Sequence, residues 1–383
     1  MPDVPSIEGF CEERFAPVRA ALADNFRDRG ELGAAVSITI EGQPVVEVWG
    51  GWMDAARTVP WRRDTLVDVF SIGKAMVTVC VLMLVDRGEV ALDSPVARYW
   101  PEFAAAGKGG VTVRTLLSHR AGLPAVRRDV SEAEIYDWDA LTGALAAEEP
   151  WWEPGSTHGY HVNTFGFLTG EIVRRVSGAS IGEFFRREVA APLDADFHFG
   201  LDREHDARAA EYVFGGEAAE FTEGVEEPAP LDMDADRAFM LGRVYLNPPA
   251  LSGIGTVNTR AWRDAEIPSA NGHATAWAVT RIYGALGELL GAQTLAEAIR
   301  PHSEGIDFVL GRPSRFGLGF QLTQPERPLG PSPRSFGHFG AGGSLGFADP
   351  DAQLSFAYVM NKSGPRWQNP RNRALIDAVY ASV

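Results

Sequence analysis

VDVFSIGKAMVTVCVLMLVDRGEVALD, residues 67–93, decides how the rest of the chain is read. Between Ser71 and Val85 the one charged side chain is Lys74. A stretch that apolar on every side is a helix buried in a core, and Gly88 is the residue type that closes such a helix in the left-handed conformation. The run from Ala75 to Val85 is interrupted by Thr78 and is too short to span a bilayer. Ser71 and Lys74, three positions apart, share one helix face. The first turn of a helix carries unpaired N–H groups and the positive end of the dipole, so an oxyanion forming there finds donors in place. An amine set against apolar helix has its pKa pulled below the free value of about 10.4. Neutral, it takes a proton from the serine; charged, it stabilises the alkoxide. The plainer reading is a serine cap and a lysine that reaches out to solvent.

The chain has 383 residues, 45% hydrophobic and 22% charged, enough for one large domain or two smaller ones. A net charge of −16 without any basic run argues against a nucleic-acid or anionic-membrane partner. Cys11 is expected in an N-terminal helix and Cys80 inside the apolar helix, both as buried free thiols. The N-terminus MPDVPSIEGF has neither the basic nor the apolar region of a signal peptide, so a cytoplasmic protein is expected.

Phe15, Val18, Leu22 and Phe26 recur at helical spacing, predicting a helix near 10–29. AAVSITIEGQPVVEVWGG, residues 34–51, alternates about Glu41-Gly42 as a β-hairpin. Helices are predicted at 163–176 and 180–190, and another capped by Thr275; residues 200–260 give no clear assignment. SRFGLGFQLTQ, FGHFGAGG, SLGFADPD and AQLSFAYVMN follow as strands, and a helix closes the chain. Strands at both ends with helices between them predict an α+β fold. Its antiparallel sheet is built from both chain ends and flanked by helices, with a mostly helical domain inserted. The expected boundaries are residues 1–65 with 305–383 for the sheet domain and 66–304 for the helical one, the active site lying between them.

WEPGSTHGYHVNTFGFLTG, residues 152–170, places Tyr160 on a loop before a helix, where a phenol beside an ammonium would shift toward phenolate and shuttle protons. The other reading is an interface tyrosine with a satisfied hydroxyl. His338, Gly340 and Ala341 are expected on an edge strand, where glycine permits close backbone approach and a strand N–H would complete an oxyanion hole. His119 is expected to bond backbone within its own turn and His161 to pack beside the loop. Asn271 and His273, just before a helix, and Trp152 are candidates for the substrate-facing rim. No metal or cofactor motif is found, so none is expected.

S-x-x-K near residue 70, a tyrosine after Pro154-Gly155 and a late H-x-G together resemble the serine β-lactamase and penicillin-binding-protein superfamily. The likeness is to its class C-like members, and most nearly to family VIII carboxylesterases. LLSHRAGLP (116–124) and GHFGAGGSLGFADPDAQLSFAYVMNK (337–362) extend it over most of the chain. It implies the β-lactamase/transpeptidase-like fold, Ser71 as acylated nucleophile, Lys74 with Tyr160 as base pair, and the N–H groups of Ser71 and Ala341 as oxyanion hole. Val162 stands where class C enzymes carry the Asn of Y-x-N, with Asn163 one place late, and His338-Phe339-Gly340 stands where they carry K-T-G. Both changes remove polar contacts to a β-lactam and favour a neutral ester.

Two G-x-S-x-G matches, around Ser180 and Ser344, raise the alternative of an α/β-hydrolase elbow. A strand follows Ser344 and no histidine lies beyond it, while Ser180-x-x-Glu183 is a capping pattern. The sequence therefore predicts a serine hydrolase acting on a small-molecule carboxylic ester, with Ser71, Lys74 and Tyr160 catalytic and His338, Gly340, Trp152 and His273 substrate-binding. Acyl transfer to another acceptor, or weak β-lactamase or D-amino peptidase activity, is the alternative on the same scaffold. Oligomeric state is not set by the sequence.

Overall fold

The computed structural model describes residues 4–215, 234–365 and 367–383. Twelve strands are described: β1 (Glu8–Cys11), β2 (Gly33–Ile40), β3 (Gln43–Gly51), β4 (Val67–Asp68), β5 (Phe197–His198), β6 (His273–Ala274), β7 (Ser303–Ile306), β8 (Pro313–Phe316), β9 (Gln321–Leu322), β10 (Phe336–Phe339), β11 (Leu345–Asp349) and β12 (Leu354–Met360). Nine of them form one antiparallel sheet in the order β1-β3-β2-β12-β11-β10-β9-β8-β7. Strand β2 lies beside β12, with Val36 opposite Tyr358, so the two ends of the chain meet in the middle of the sheet, as the sequence predicts. The β2–β3 hairpin turns at Glu41 and Gly42, both at positive φ (52° and 74°), the pair of conformations a tight right-twisting hairpin requires.

The Ala276–Gly284 helix packs on β2, β11 and β12. The Ala16–Asp28 helix packs against the Pro370–Tyr380 helix. In the middle of the chain the Ile72–Asp86 helix is buried from Ile72 to Leu84 and packs on the Thr164–Ser177 helix and on β10. It is covered on all sides because its sequence offers no polar face to water. A small antiparallel sheet, β4-β6-β5, leads into its N-terminus. No helix among the described residues is long and apolar enough to cross a membrane.

Three local expectations change. Residues 8–11 form a strand paired with β3, so Cys11 lies in β1, half-buried, and the helix begins only at Ala16; Cys80 is buried as expected. β10 is an interior strand between β9 and β11, and Gly340 and Ala341 lie beyond its end. β9 pairs its backbone only with Phe336 and Gly337, and beyond them the Phe339 N–H donates to the Gln321 side chain at 2.9 Å. Of the segment without a clear reading, 235–246 is a helix, while 216–233 lies outside the described residues.

The two chain ends are also joined by a buried ion pair. Arg371 Nη1 lies 3.3 Å from Glu31 Oε1, and the Tyr358 hydroxyl donates to the same carboxylate. The Arg371 guanidinium also donates to the carbonyls of Arg29, Gly30 and Lys362. Removing one member of such a pair strands the other charge, at a cost of about 3–5 kcal/mol. Arg371→Leu is therefore expected to lower the urea unfolding free energy by that order. Loss of under about 1 kcal/mol at an unchanged m-value would show that the pair does not tie the ends together.

Candidate active site

The helix that starts at Ile72 has Ser71 as its N-cap, yet the Ser71 hydroxyl caps nothing. Thr112, Ser180, Thr259 and Thr275 all spend their side chains on backbone N–H groups in that position. Ser71 Oγ instead takes a hydrogen bond from Lys74 Nζ at 2.9 Å and donates to the Ser269 carbonyl at 3.3 Å. Lys74 Nζ also donates to that carbonyl at 2.9 Å. The amine is wholly buried, and no carboxylate pairs with it among the described residues. Burial alone therefore holds its pKa well below the usual lysine value, which favours the neutral amine.

Ser71 follows a strained residue. Phe70 has φ 47°, in the left-handed region that bulky residues avoid, and its N–H is held by the buried Asp68 carboxyl at 2.8 Å. Asp68 also accepts from the Trp262 indole at 2.8 Å; burial pushes its pKa up to about 8 against both bonds. The carbonyls of Val69 and Phe70 accept from Ile72 and Gly73 in the opening turn. No backbone carbonyl takes the N–H of Ser71 or of Ala341 among the described residues.

Tyr160 comes from a loop in which the three N–H groups of residues 159–161 are all held. Gly159 donates to the His119 carbonyl (3.0 Å), Tyr160 to both oxygens of Asp307 (3.0 and 3.1 Å), and His161 to His119 Nδ1 (3.2 Å). His119 thus clamps a segment some forty residues on, where a bond within its own turn was expected. His161 packs beside the loop, donating from Nδ1 to Gly159 O and accepting from Leu123 N–H. The Tyr160 ring stacks on Phe316 (5.7 Å, 8°), meets Trp367 edge-on at 5.0 Å, and has Lys74 Nζ 5.0 Å from its centre. Its hydroxyl makes no hydrogen bond of ordinary geometry among the described residues. Burial raises its pKa, with the nearby Ser71 hydroxyl opposing, so the group stays a phenol. The expected shift toward phenolate is not found, because the burial of the phenol itself dominates.

Ser71, Tyr160 and Ala341 face one cavity of about 220 Å³. Val162 and Asn163 both line it, and the Asn163 amide is bonded to Ser252 Oγ at 2.9 Å. His338 is wholly buried beside it; its Nδ1 donates to Phe339 O, and burial holds its pKa near 3. Gly340 approaches the serine loop so closely that a Cβ there would lie 2.4 Å from Val69 O. Three expected rim residues lie elsewhere. Trp152 packs with Val309 and Phe308 in a separate apolar cluster, where Gly159 makes room for its ring. His273 is buried in β6 and donates to Asn271 O, while Asn271 itself braces the 262–267 turn, so neither reaches the cavity. Both G-x-S-x-G serines are structural: Ser344 Oγ donates to Val69 O, and Ser180 caps its helix and donates to Glu266.

Sequence reasoning missed Ser269, Asp307, Leu310, Arg312 and Trp367. They come from separate loops with no periodicity or motif. The one signal was glycine: a Cβ at Gly73 would lie 2.2 Å from Pro268 O, and one at Gly166 2.5 Å from Ser269 N.

The β-lactamase family model matches residues 19–381. An esterase/β-lactamase of Mycobacterium tuberculosis, LipL, is 36% identical over 92% of this chain and 82% of its own. The esterase EstB of Burkholderia gladioli is 28% identical over 96% and 95%. The crystal structure of a family VIII carboxylesterase superposes with a TM-score of 0.89 at 40% identity, covering 99% of this chain and all of that one.

The Gly73 contact yields a test. Gly73→Ala forces the 268–269 backbone off the helix, a close-packing violation worth about 1–3 kcal/mol. The variant is expected to melt lower and to lose catalysis more than tenfold, because the Ser269 carbonyl leaves Lys74. Wild-type ester turnover in a Gly73→Ala protein would show that this carbonyl has no part in setting the amine.

Proposed function

The chain belongs to the β-lactamase family, and within it we propose a carboxylesterase-type serine hydrolase that works through an acyl-enzyme on Ser71. The observation that carries this reading is a wholly buried lysine without a counter-ion, 2.9 Å from a serine hydroxyl that caps nothing. The neutral Lys74 amine takes the Oγ proton as Oγ attacks the ester carbonyl. The unspent N–H groups of Ser71 and Ala341 receive the oxyanion at the positive end of the helix. Tyr160, kept as a phenol, passes a proton to the departing alcohol. Water then deacylates the serine by the reverse path.

A neutral ester fits this site better than a β-lactam. His338, uncharged, replaces a lysine, and Val162 puts a hydrocarbon where the related lactamases present an amide. The resemblance of fold and sequence to an esterase and a carboxylesterase supports the same choice.

Ser71→Ala is expected to lower kcat on p-nitrophenyl butyrate by several orders of magnitude; nucleophile loss costs about 10⁶ in other serine enzymes. Intact mass spectrometry should find the acyl adduct on wild type and none on Ser71→Ala. Turnover unchanged in that variant defeats the proposal.

The base assignment has its own signature. A depressed amine pKa means that the active, neutral form prevails above that pKa, so kcat/KM should fall only as pH drops through it. That limb is expected below the ordinary lysine range. His161 and His338, held near 4 and 3 by burial, stay neutral and add no limb near pH 6.5. Lys74→Arg, permanently charged, should be inactive. A limb near pH 10.4, or an active Lys74→Arg enzyme, would remove Lys74 from the role of base.

A further inference from the structure

Tyr160 is held by a carboxyl that does not itself reach the cavity. Asp307 has no exposed surface and does not line the space that Ser71, Tyr160 and Ala341 face. It follows directly on β7, and its own backbone is pinned. Its N–H donates to the Arg312 carbonyl at 3.0 Å, and its carbonyl accepts from Gly311 N–H at 2.8 Å. The side chain then gathers donors from separate segments. Oδ1 accepts from the N–H groups of Val309 and Leu310, both at 2.9 Å, and from Tyr160 N–H at 3.0 Å. Oδ2 accepts from the same Tyr160 N–H at 3.1 Å and from the Ser314 hydroxyl of β8 at 3.0 Å.

A carboxyl taken out of water is stable only where donors meet it, so the groups that bond it are held in turn. Ser314 Oγ also lies 2.9 Å from His158 Nε2, and the Phe308 N–H donates to the His158 carbonyl at 2.9 Å. Phe316, two residues beyond Ser314 on β8, carries the stacked Tyr160 ring. The β7–β8 hairpin and the turn between its strands thus hold Tyr160 twice, by its backbone N–H and by its ring. Neither hold uses the phenol hydroxyl, which makes no ordinary hydrogen bond among the described residues. A phenol that hands a proton from one partner to another needs that freedom at the oxygen and a fixed frame everywhere else.

We infer that Asp307 is a positioning residue for proton transfer, holding the Tyr160 phenol at the leaving oxygen of the ester without touching the substrate. The inference rests on Tyr160 being the group that protonates the departing alcohol. In that step the phenol proton passes to the alcohol oxygen as its bond to the acyl carbon breaks. The phenolate then takes from Lys74 the proton that Ser71 gave up, so phenol and amine both return to their starting forms. A misplacement of about 1 Å in such a transfer costs on the order of 100-fold. Asp307 acts on this transfer alone, so its loss falls on esters whose alcohol cannot leave as an anion.

The test compares ethyl butyrate with p-nitrophenyl butyrate, which give the same acyl-enzyme. Ethoxide needs a proton in order to leave, whereas p-nitrophenolate does not. For each ester kcat/KM reports the path from free enzyme to acyl-enzyme. Asp307→Asn keeps the shape of the side chain and puts a donor where one oxygen accepts. It is expected to lower kcat/KM on ethyl butyrate by about 10- to 100-fold and on p-nitrophenyl butyrate by less than about threefold. The retained nitrophenyl ester turnover also shows that the variant folds. Tyr160→Phe should show the same preference in full, and adding Asp307→Asn to it should cost nothing more on ethyl butyrate. Ser314→Ala, which leaves the carboxyl and removes one of its ties, should give a smaller loss of the same kind and is read in its place if the asparagine variant does not fold. Equal effects on the two esters in the variant read, or losses that add in the double variant, overturn the inference. A Tyr160→Phe enzyme without the preference for the nitrophenyl ester would defeat the proton-donor reading itself, and that single variant shows which of the two has failed.

Discussion

The burial of one amine is the constraint on which the rest of the site depends. A charged ammonium taken out of water without a partner costs several kcal/mol, and the group gives up its proton before it accepts that cost. Lys74 meets this condition because the helix it enters is apolar on every face and no carboxylate reaches it among the described residues. Its polar neighbours are a serine hydroxyl and the Ser269 carbonyl, neither of which carries charge. The same apolar run that drives the Ile72–Asp86 helix into the core therefore sets the protonation state of its first turn. Fold and chemistry share one cause at this point.

Three backbone approaches keep that turn in place, and each requires a missing side chain. Pro268 and Ser269 lie against Gly73 and Gly166, and Gly340 lies against Val69 and Ser344. The helical region and the sheet thus close on the serine from two sides at distances a β-carbon would forbid. The left-handed Phe70, held by Asp68, turns the chain between them. Strain of this kind persists only where the surroundings over-determine it, and here β4, the Trp262 indole and the helix start all do so.

What was legible in the sequence follows from how each feature is encoded. The helix start, the hairpin at Glu41-Gly42 and the sheet joined from both ends are local patterns of polarity and turn residues, and they read correctly. Ser71, Lys74 and Tyr160 could be named as candidates because they sit at element boundaries within recognisable stretches. Ser269 and Asp307 act through loops whose spacing in the chain says nothing of their spacing in space. Trp152 and His273 were chosen as rim residues by chemical type, whereas both are consumed by packing or by a neighbouring carbonyl. The sign of the Tyr160 shift was missed for a related reason: it is set first by the burial of the phenol itself, which the spacing of residues in the chain does not reveal.

The electrostatics of the site then has a simple division. Lys74, Tyr160, His119, His161 and His338 form one buried cluster, and desolvation is the leading cause that holds each of them uncharged. A proton moving from serine to lysine would create the first charges in that cluster. They would arise where the dielectric is low and beside the helix terminus, where the Ser71 N–H meets no backbone carbonyl among the described residues. Preorganised donors gain most in such a place, because no solvent must reorient to meet the new charge.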